Sequence, residues 1–214
     1  NVTLINSEEV AVDGLRLVSG RLNSDGINSV NARRIRLRNC FVRNHDDSFA
    51  VKTIMPGAPG GDILIEDCQV WNDWGFALGV TYETRADIAD VTYRRCDILS
   101  ARHWVCGVQI SDSATVSDVA FRDLGVSDLS RSSHLRGTHD ALAPAPVLLK
   151  VSIVQDVWGH DAERGRIRNV TVDGVTLHGA QPLPVTLHGY DAAHDIRGVT
   201  VRNVRLHGRP AALP

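Results

Sequence analysis

The stretch Ile35-Arg-Leu-Arg-Asn-Cys-Phe-Val42 returns, with substitutions, as Ile63-Leu-Ile-Glu-Asp-Cys-Gln-Val70, Val91-Thr-Tyr-Arg-Arg-Cys-Asp-Ile98 and Val119-Ala-Phe-Arg-Asp-Leu-Gly-Val126. The interval from Ile35 to Ile63 is repeated without change to Val91 and again to Val119. Two later copies, starting at Val170 and Val199, keep nearly the same spacing, and Val2-Thr-Leu-Ile-Asn6 reads as a partial earlier one. In every full copy the apolar residues alternate on either side of a polar or glycine corner: Asn39, Asp67, Arg95, Asp123, Gly174, Asn203. Alternation marks a strand with one buried face, and such a corner lets the chain bend. The same register at each repeat means that every lap buries its inward residues against the laps above and below. A leucine-rich repeat has a different period and consensus and is excluded. The expected fold is therefore all-β: a right-handed, single-stranded parallel β-helix with laps of about 28 residues. The chain holds roughly seven or eight laps, with neighbouring strands ~4.8 Å apart.

Cys40, Cys68 and Cys96 fall one period apart and form an inward ladder, read as small buried hydrophobes and not as a redox centre. Cys106 stands outside the series. No CxxC or His/Cys ligand spacing occurs, so neither a metal nor a cofactor is expected. Residues 1–214 read as one domain. The opening Asn-Val-Thr-Leu is already in strand alternation, which suggests that N-terminal laps or a cap precede it. Ser127–Pro146 lacks alternation and reads as a long surface loop in an interval, Val126 to Val170, roomy enough for roughly two laps. The 23 basic and 25 acidic residues are not segregated, which argues against nucleic acid or a membrane as partner.

Stacking the laps brings acids together. Asp25 lies in the turn Asn23-Ser24-Asp25-Gly26, and the pair Asp46-Asp47 follows one lap on. Asp47 is expected near Trp74, with both close to the rung of Gln109 and Ser111. Three close carboxylates repel one another, so one should keep its proton near neutral pH. A protonated carboxyl beside ionised ones is the equipment of glycoside hydrolysis. The alternatives are calcium binding and the capping of turns, the role expected for Asp62, Asp87 and Asp118.

The order N-[ST]-D-G, a gap of some twenty residues, then D-D and a short apolar strand resembles the polygalacturonase family of glycoside hydrolases, in a β-helix clan with dextranase-like and isopullulanase-like enzymes. The resemblance runs over Asn23–Ile110. It implies an inverting hydrolase, secreted or periplasmic, acting on a poly- or oligosaccharide. It also implies that Asp46 is the general acid and that Asp25 and Asp47 hold and deprotonate the water. The departures concern the sugar. His45 stands where the family has a glycine, Trp74 where it has a histidine, and Gln109-Ile110-Ser111 where it has R-I-K. Glutamine and serine cannot give a galacturonate carboxylate charge-assisted bonds, so the expected subsite takes a neutral sugar.

Trp74 is read as a stacking ring for that sugar, or else as a tryptophan wedged at a lap corner. Lys52, Arg102, His103 and Gln109 complete the expected substrate contacts. Histidines 178, 188 and 207 recur in Leu-His-Gly triplets, read as repeated turn chemistry. The turn holding Trp158, His160 and Asp161 has no assigned role beyond bordering the cleft. The reading that competes with hydrolysis is a non-catalytic carbohydrate-binding or adhesive β-helix descended from such an enzyme.

Overall fold

The computed structural model describes residues 1–127, 129, 146–179 and 182–213, which form a parallel β-helix of about seven laps. Each of the first four laps has three strands. The first runs β1 (Val2–Ile5), β2 (Ala11–Asp13), β3 (Arg16–Val18), and the second β4 (Ile27–Val30), β5 (Arg33–Arg38), β6 (Phe41–Asn44). The third is β7 (Phe49–Thr53), β8 (Gly60–Glu66), β9 (Gln69–Asn72), and the fourth β10 (Phe76–Thr84), β11 (Ile88–Arg94), β12 (Asp97–Ala101). In the last three laps the second and third strands merge. These laps are β13 (Trp104–Ile110) with β14 (Thr115–Val126), β15 (Val147–Ile153) with β16 (Arg166–Leu177), and β17 (Val185–His188) with β18 (Ile196–Leu206). A short β19 (Arg209–Pro210) folds back on β18.

The first strands of all laps pair in parallel as one sheet, β1-β4-β7-β10-β13-β15-β17, and the remaining strands build the other face. Val2–Ile5 pairs with Ile27–Val30 in the first sheet, so it is not an early copy of the repeat. That copy is Val10–Leu17, whose Val12 pairs with Leu37 and whose Leu17 pairs with Val42. It escaped the alignment because its lap is shorter than the common period. The interval from Val126 to Val170 holds one lap and not two, since β14 pairs directly with β16. Of the expected loop Ser127–Pro146, all but residues 127, 129 and 146 lie outside the described residues.

Inward positions stack into ladders. Ile35, Ile63, Val91, Val119, Val170 and Val199 face one another lap on lap, as do Leu37, Ile65, Tyr93, Phe121, Val172 and Val201. Burying each such side chain contributes about 1.5–3 kcal/mol. Tyr93 keeps its hydroxyl satisfied inside the coil, donating to Gly79 O at 2.8 Å. Cys40, Cys68 and Cys96 are buried and unbridged.

The corners follow from backbone chemistry. Asn39, Asp67, Arg95, Asp123, Gly174 and Asn203 all have φ between 50° and 78°. Gly, Asn and Asp enter this left-handed region most readily. Arg95 is the exception, clamped by Asp67 (2.7 Å) and Glu66 (2.7 Å) of the lap before. Of the three acids expected to cap turns, Asp87 does so, accepting the Thr115 amide, whereas Asp62 and Asp118 lie within β8 and β14, where their positive φ bends the strand.

Candidate active site

The acids occupy the corners that enter the first sheet. Asp25 precedes β4 and Asp46-Asp47 precede β7, one lap apart. Backbone bonds lock the two corners together: Asp46 N–H donates to Ser24 O (3.1 Å) and Gly26 N–H to Asp47 O (2.8 Å). Under them lies a buried asparagine ladder. Asn44 Nδ2 donates to the carbonyls of Ser24, Asp46 and Asp47 at 2.7–3.0 Å, and Asn72 Nδ2 to Asp46 O at 2.6 Å and Ser48 Oγ at 2.9 Å. The carbonyls of the acid turn thus have side-chain donors beneath them, which a buried turn without ladder partners requires.

Asp47 is 4 % exposed, and its Oδ1 accepts the Phe76 amide at 2.9 Å. Loss of solvent pushes its pKa up to about 7; the Lys52 ammonium opposes the rise and the Asp46 carboxylate adds to it. Asp46 is half-buried, its Oδ1 accepts the Asp47 amide at 2.9 Å, and burial and then Asp25 raise its pKa as well. Both shifts favour the protonated carboxyl at this corner, by loss of solvent first and by neighbouring carboxylates second. Gly75, at φ +74°, gives both carboxylates room: a Cβ there would lie 2.6 Å from Asp47 Oδ1 and 2.9 Å from Asp46 Oδ1.

Asp25 Oδ2 accepts from Asn28 Nδ2 at 2.7 Å and lies 3.4 Å from Lys52 Nζ. Lys52 is not a free hydrogen-bonder, because its ammonium also meets Glu83 Oε2 at 3.1 Å. Burial works to lower its pKa, but Asp47, Asp25 and Glu83 outweigh that and hold it above the ordinary lysine value. Glu83 and its neighbour Tyr82 are members of the site that the sequence reading missed. They enter through a bulge in β10, where Val80 pairs Val51 and Thr84 pairs Thr53, so three residues oppose Lys52 alone. Tyr82 takes φ +50° there, and its hydroxyl is pushed up to about 12 by burial and by Asp47. Bulges often re-aim side chains next to active sites.

Of the remaining expected contacts, Trp74, Arg102 and His103 gather at the corner beyond the acids. The Trp74 ring packs on His103 with centroids 3.9 Å apart, lies parallel to His45 at 6.3 Å, and has the Arg102 guanidinium 5.7 Å away. His103 is buried with neither ring nitrogen bonded among the described residues, and burial, helped by Arg102 and Lys150, pulls its pKa down to about 4. It is a neutral imidazole. Gln109 is not beside Trp74. It pairs with Thr81 farther along the sheet, buried, accepting from Ser152 Oγ at 3.0 Å and supporting the Tyr82 hydroxyl. That geometry makes it cleft floor, not an exposed sugar contact.

The first sheet thus carries Asp25, Asp46, Asp47, Trp74 and His103 at the entry to its strands and Lys52, Tyr82 and Glu83 toward their C-terminal ends. The family model described as glycosyl hydrolases family 28 matches residues 1–134. The chain is similar to an exopolygalacturonase from Thermotoga maritima at 17 % identity and TM-score 0.60, over 94 % of this chain and 49 % of that one. A family 28 exopolygalacturonase from Yersinia enterocolitica matches at 16 % identity and TM-score 0.45, over 95 % of this chain and 40 % of that one. The chain therefore spans about half the length, or less, of these solved structures. No curated protein matches it. With a family match over more than half its length, and with that family's coil, this chain belongs to glycosyl hydrolases family 28, a family of glycosidases.

Proposed function

We propose that the protein hydrolyses glycosidic bonds of a poly- or oligosaccharide with inversion, using Asp25, Asp46 and Asp47. The observation that carries this reading is the juxtaposition of the Asp46-Asp47 pair with Asp25, whose corner is bonded to theirs across one lap and whose carboxylate accepts from Asn28 and faces the Lys52 ammonium. Asp46, at the cleft surface, gives the proton to the leaving oxygen. Asp25 and Asp47 hold the attacking water, and Asp25 takes its proton.

The catalytic subsite takes a neutral sugar in this reading. Lys52, the ammonium at the acids, is already shared by Asp25 and Glu83, and Gln109 is buried against Ser152. Half-exposed Trp74, backed by His103, presents a ring for a pyranose face. A second reading, an acidic galacturonate chain such as the named substrate of the Thermotoga relative, draws support from Lys150, whose ammonium lies 4.0 Å above the Trp104 ring. One experiment separates the readings. The protein is incubated with dextran, pullulan, polygalacturonate and its methyl ester; reducing ends are counted, and the product anomer is read by NMR. Release from a neutral polymer with inverted configuration, abolished in Asp46→Asn, supports the proposal. Turnover of polygalacturonate alone moves the specificity to the second reading. Undiminished activity in Asp46→Asn, or retention of configuration, overturns the mechanism. A non-catalytic carbohydrate-binding coil would bind a polymer and release nothing.

A further inference from the structure

The edge of the cleft formed by the C-terminal ends of the first-sheet strands does not stop at Lys52, Tyr82 and Glu83. Three laps beyond the acid pair, the turn after β15 carries Val157 (88 % exposed) and Trp158 (58 % exposed). One lap farther, the turn after β17 carries Tyr190, 45 % exposed. At ~4.8 Å per lap these rings stand about 14 and 19 Å along the coil from Asp46 and Asp47.

An exposed tryptophan on a loose loop would carry little meaning. This turn is fixed from below. The buried Asp112 carboxylate accepts the amides of His160 (2.5 Å) and Asp161 (2.8 Å), and Asp161 is held in turn by Arg85 (2.9 Å) and Ser113 Oγ (2.6 Å). Buried Arg164 ties the carbonyls of Ser111 and Asp161 together. Gly159 lets the turn press on the Ser111 carbonyl, where a Cβ would come within 2.7 Å. The two rings are also linked, since Tyr190 OH donates to Gln155 Oε1 in the tryptophan's own turn at 3.2 Å. Continuity with the cleft comes from Asp156, whose charge is felt by both Tyr82 and Lys150 on the cleft floor.

We infer that Trp158 and Tyr190 form a distal subsite for a carbohydrate chain lying along the coil axis, a few sugar rings from the acids. This rests on the hydrolase reading for its ligand class. Flat rings on fixed turns offer the apolar faces of pyranoses a surface at small ordering cost, and Gln155 and Asp156 stand in the tryptophan's turn for hydroxyls. Such a subsite serves a polymer and is out of reach of a disaccharide seated at the acids.

The test is affinity electrophoresis of the Asp46→Asn protein, which leaves the polymer uncut, in gels cast with each of the four polysaccharides above. The parent should be retarded by at least one of them. Adding Trp158→Ala should weaken that binding about tenfold and Tyr190→Ala less, with circular dichroism unchanged and Trp158→Phe retaining most of the binding. No retardation of the parent by any polymer overturns the inference. So does equal retardation of parent and Trp158→Ala. Asp46→Asn turning out fully active would sink the catalytic assignment instead, and the gels would still decide the subsite.

Discussion

Replacing Asp47 by asparagine should stabilise the protein, and by an amount that grows with pH. Folded Asp47 keeps its proton to about pH 7, whereas the ordinary value is 3.8. Below that lower value both states are protonated and the group costs nothing. Between the two values the unfolded chain has released a proton that the folded chain retains, so each pH unit removes about 1.36 kcal/mol of stability. Over roughly three units the loss reaches about 4 kcal/mol, complete once the pH has passed about 7. Asparagine does not titrate, and its oxygen can still accept the Phe76 amide that Asp47 Oδ1 accepts now. Lys52 is not orphaned, because Asp25 and Glu83 remain beside it. Thermal melts of both proteins from pH 4 to 8.5 should show the gap in favour of Asp47→Asn widening by on the order of 10 °C. A gap that stays constant, or narrows as pH rises, would refute burial as the cause of the shift.

The rate should fall as pH rises past the raised pKa of Asp46, the general acid, because burial and Asp25 delay but do not prevent loss of the proton it donates; a kcat/KM profile flat to pH 9 would contradict this. Gly75→Ala places a methyl between both acid oxygens at φ +74°; it should cost about 2 kcal/mol by denaturant unfolding and most of the activity. Lys52→Met and Glu83→Gln should each lower kcat, yet the double variant should lose no more than Lys52→Met alone, because Glu83 touches the acids only through Lys52; additive losses in that cycle would give Glu83 a direct role. Asn72→Ala, which strips buried donors from Asp46 O and Ser48 Oγ, should destabilise by about 2 kcal/mol and slow turnover at unchanged KM.

The coil was legible because a solenoid repeats its constraints. Each inward position answers to the same position one lap away, so Ile35, Ile63, Val91 and Val119 write the register into the sequence. The corner residues are legible for a separate reason: left-handed backbone favours Asn, Asp and Gly, which fill five of the six corners, Arg95 being the exception. Asp25 and Asp46-Asp47 then follow from register alone, since their corners are bonded to each other one lap apart. The packing of Trp74 against His103 was not legible, because a side-chain contact across a lap corner leaves no periodic trace.

Glu83 was hidden by the same regularity that exposed the fold. β11 keeps the common period with its counterpart in the lap before, pairing Val91 with Ile63, so nothing in the spacing suggests an insertion. Yet β10 runs on to Thr84 where β7 stops at Thr53, and the next strands begin at Ile88 and Gly60. The extra residues of the bulge are taken from the corner that follows it, which shrinks from residues 54–59 to residues 85–87. Lap length is set by stacking around the whole coil, so a residue can move from corner to strand without disturbing any ladder. Alternation gives no warning either, since Phe76, Leu78, Val80 and Tyr82 stay in phase through the bulge and Glu83 falls on a polar position. The consequence is general to the architecture: in a coil whose period is fixed by its core, residues can be inserted at strand ends without a trace in lap length.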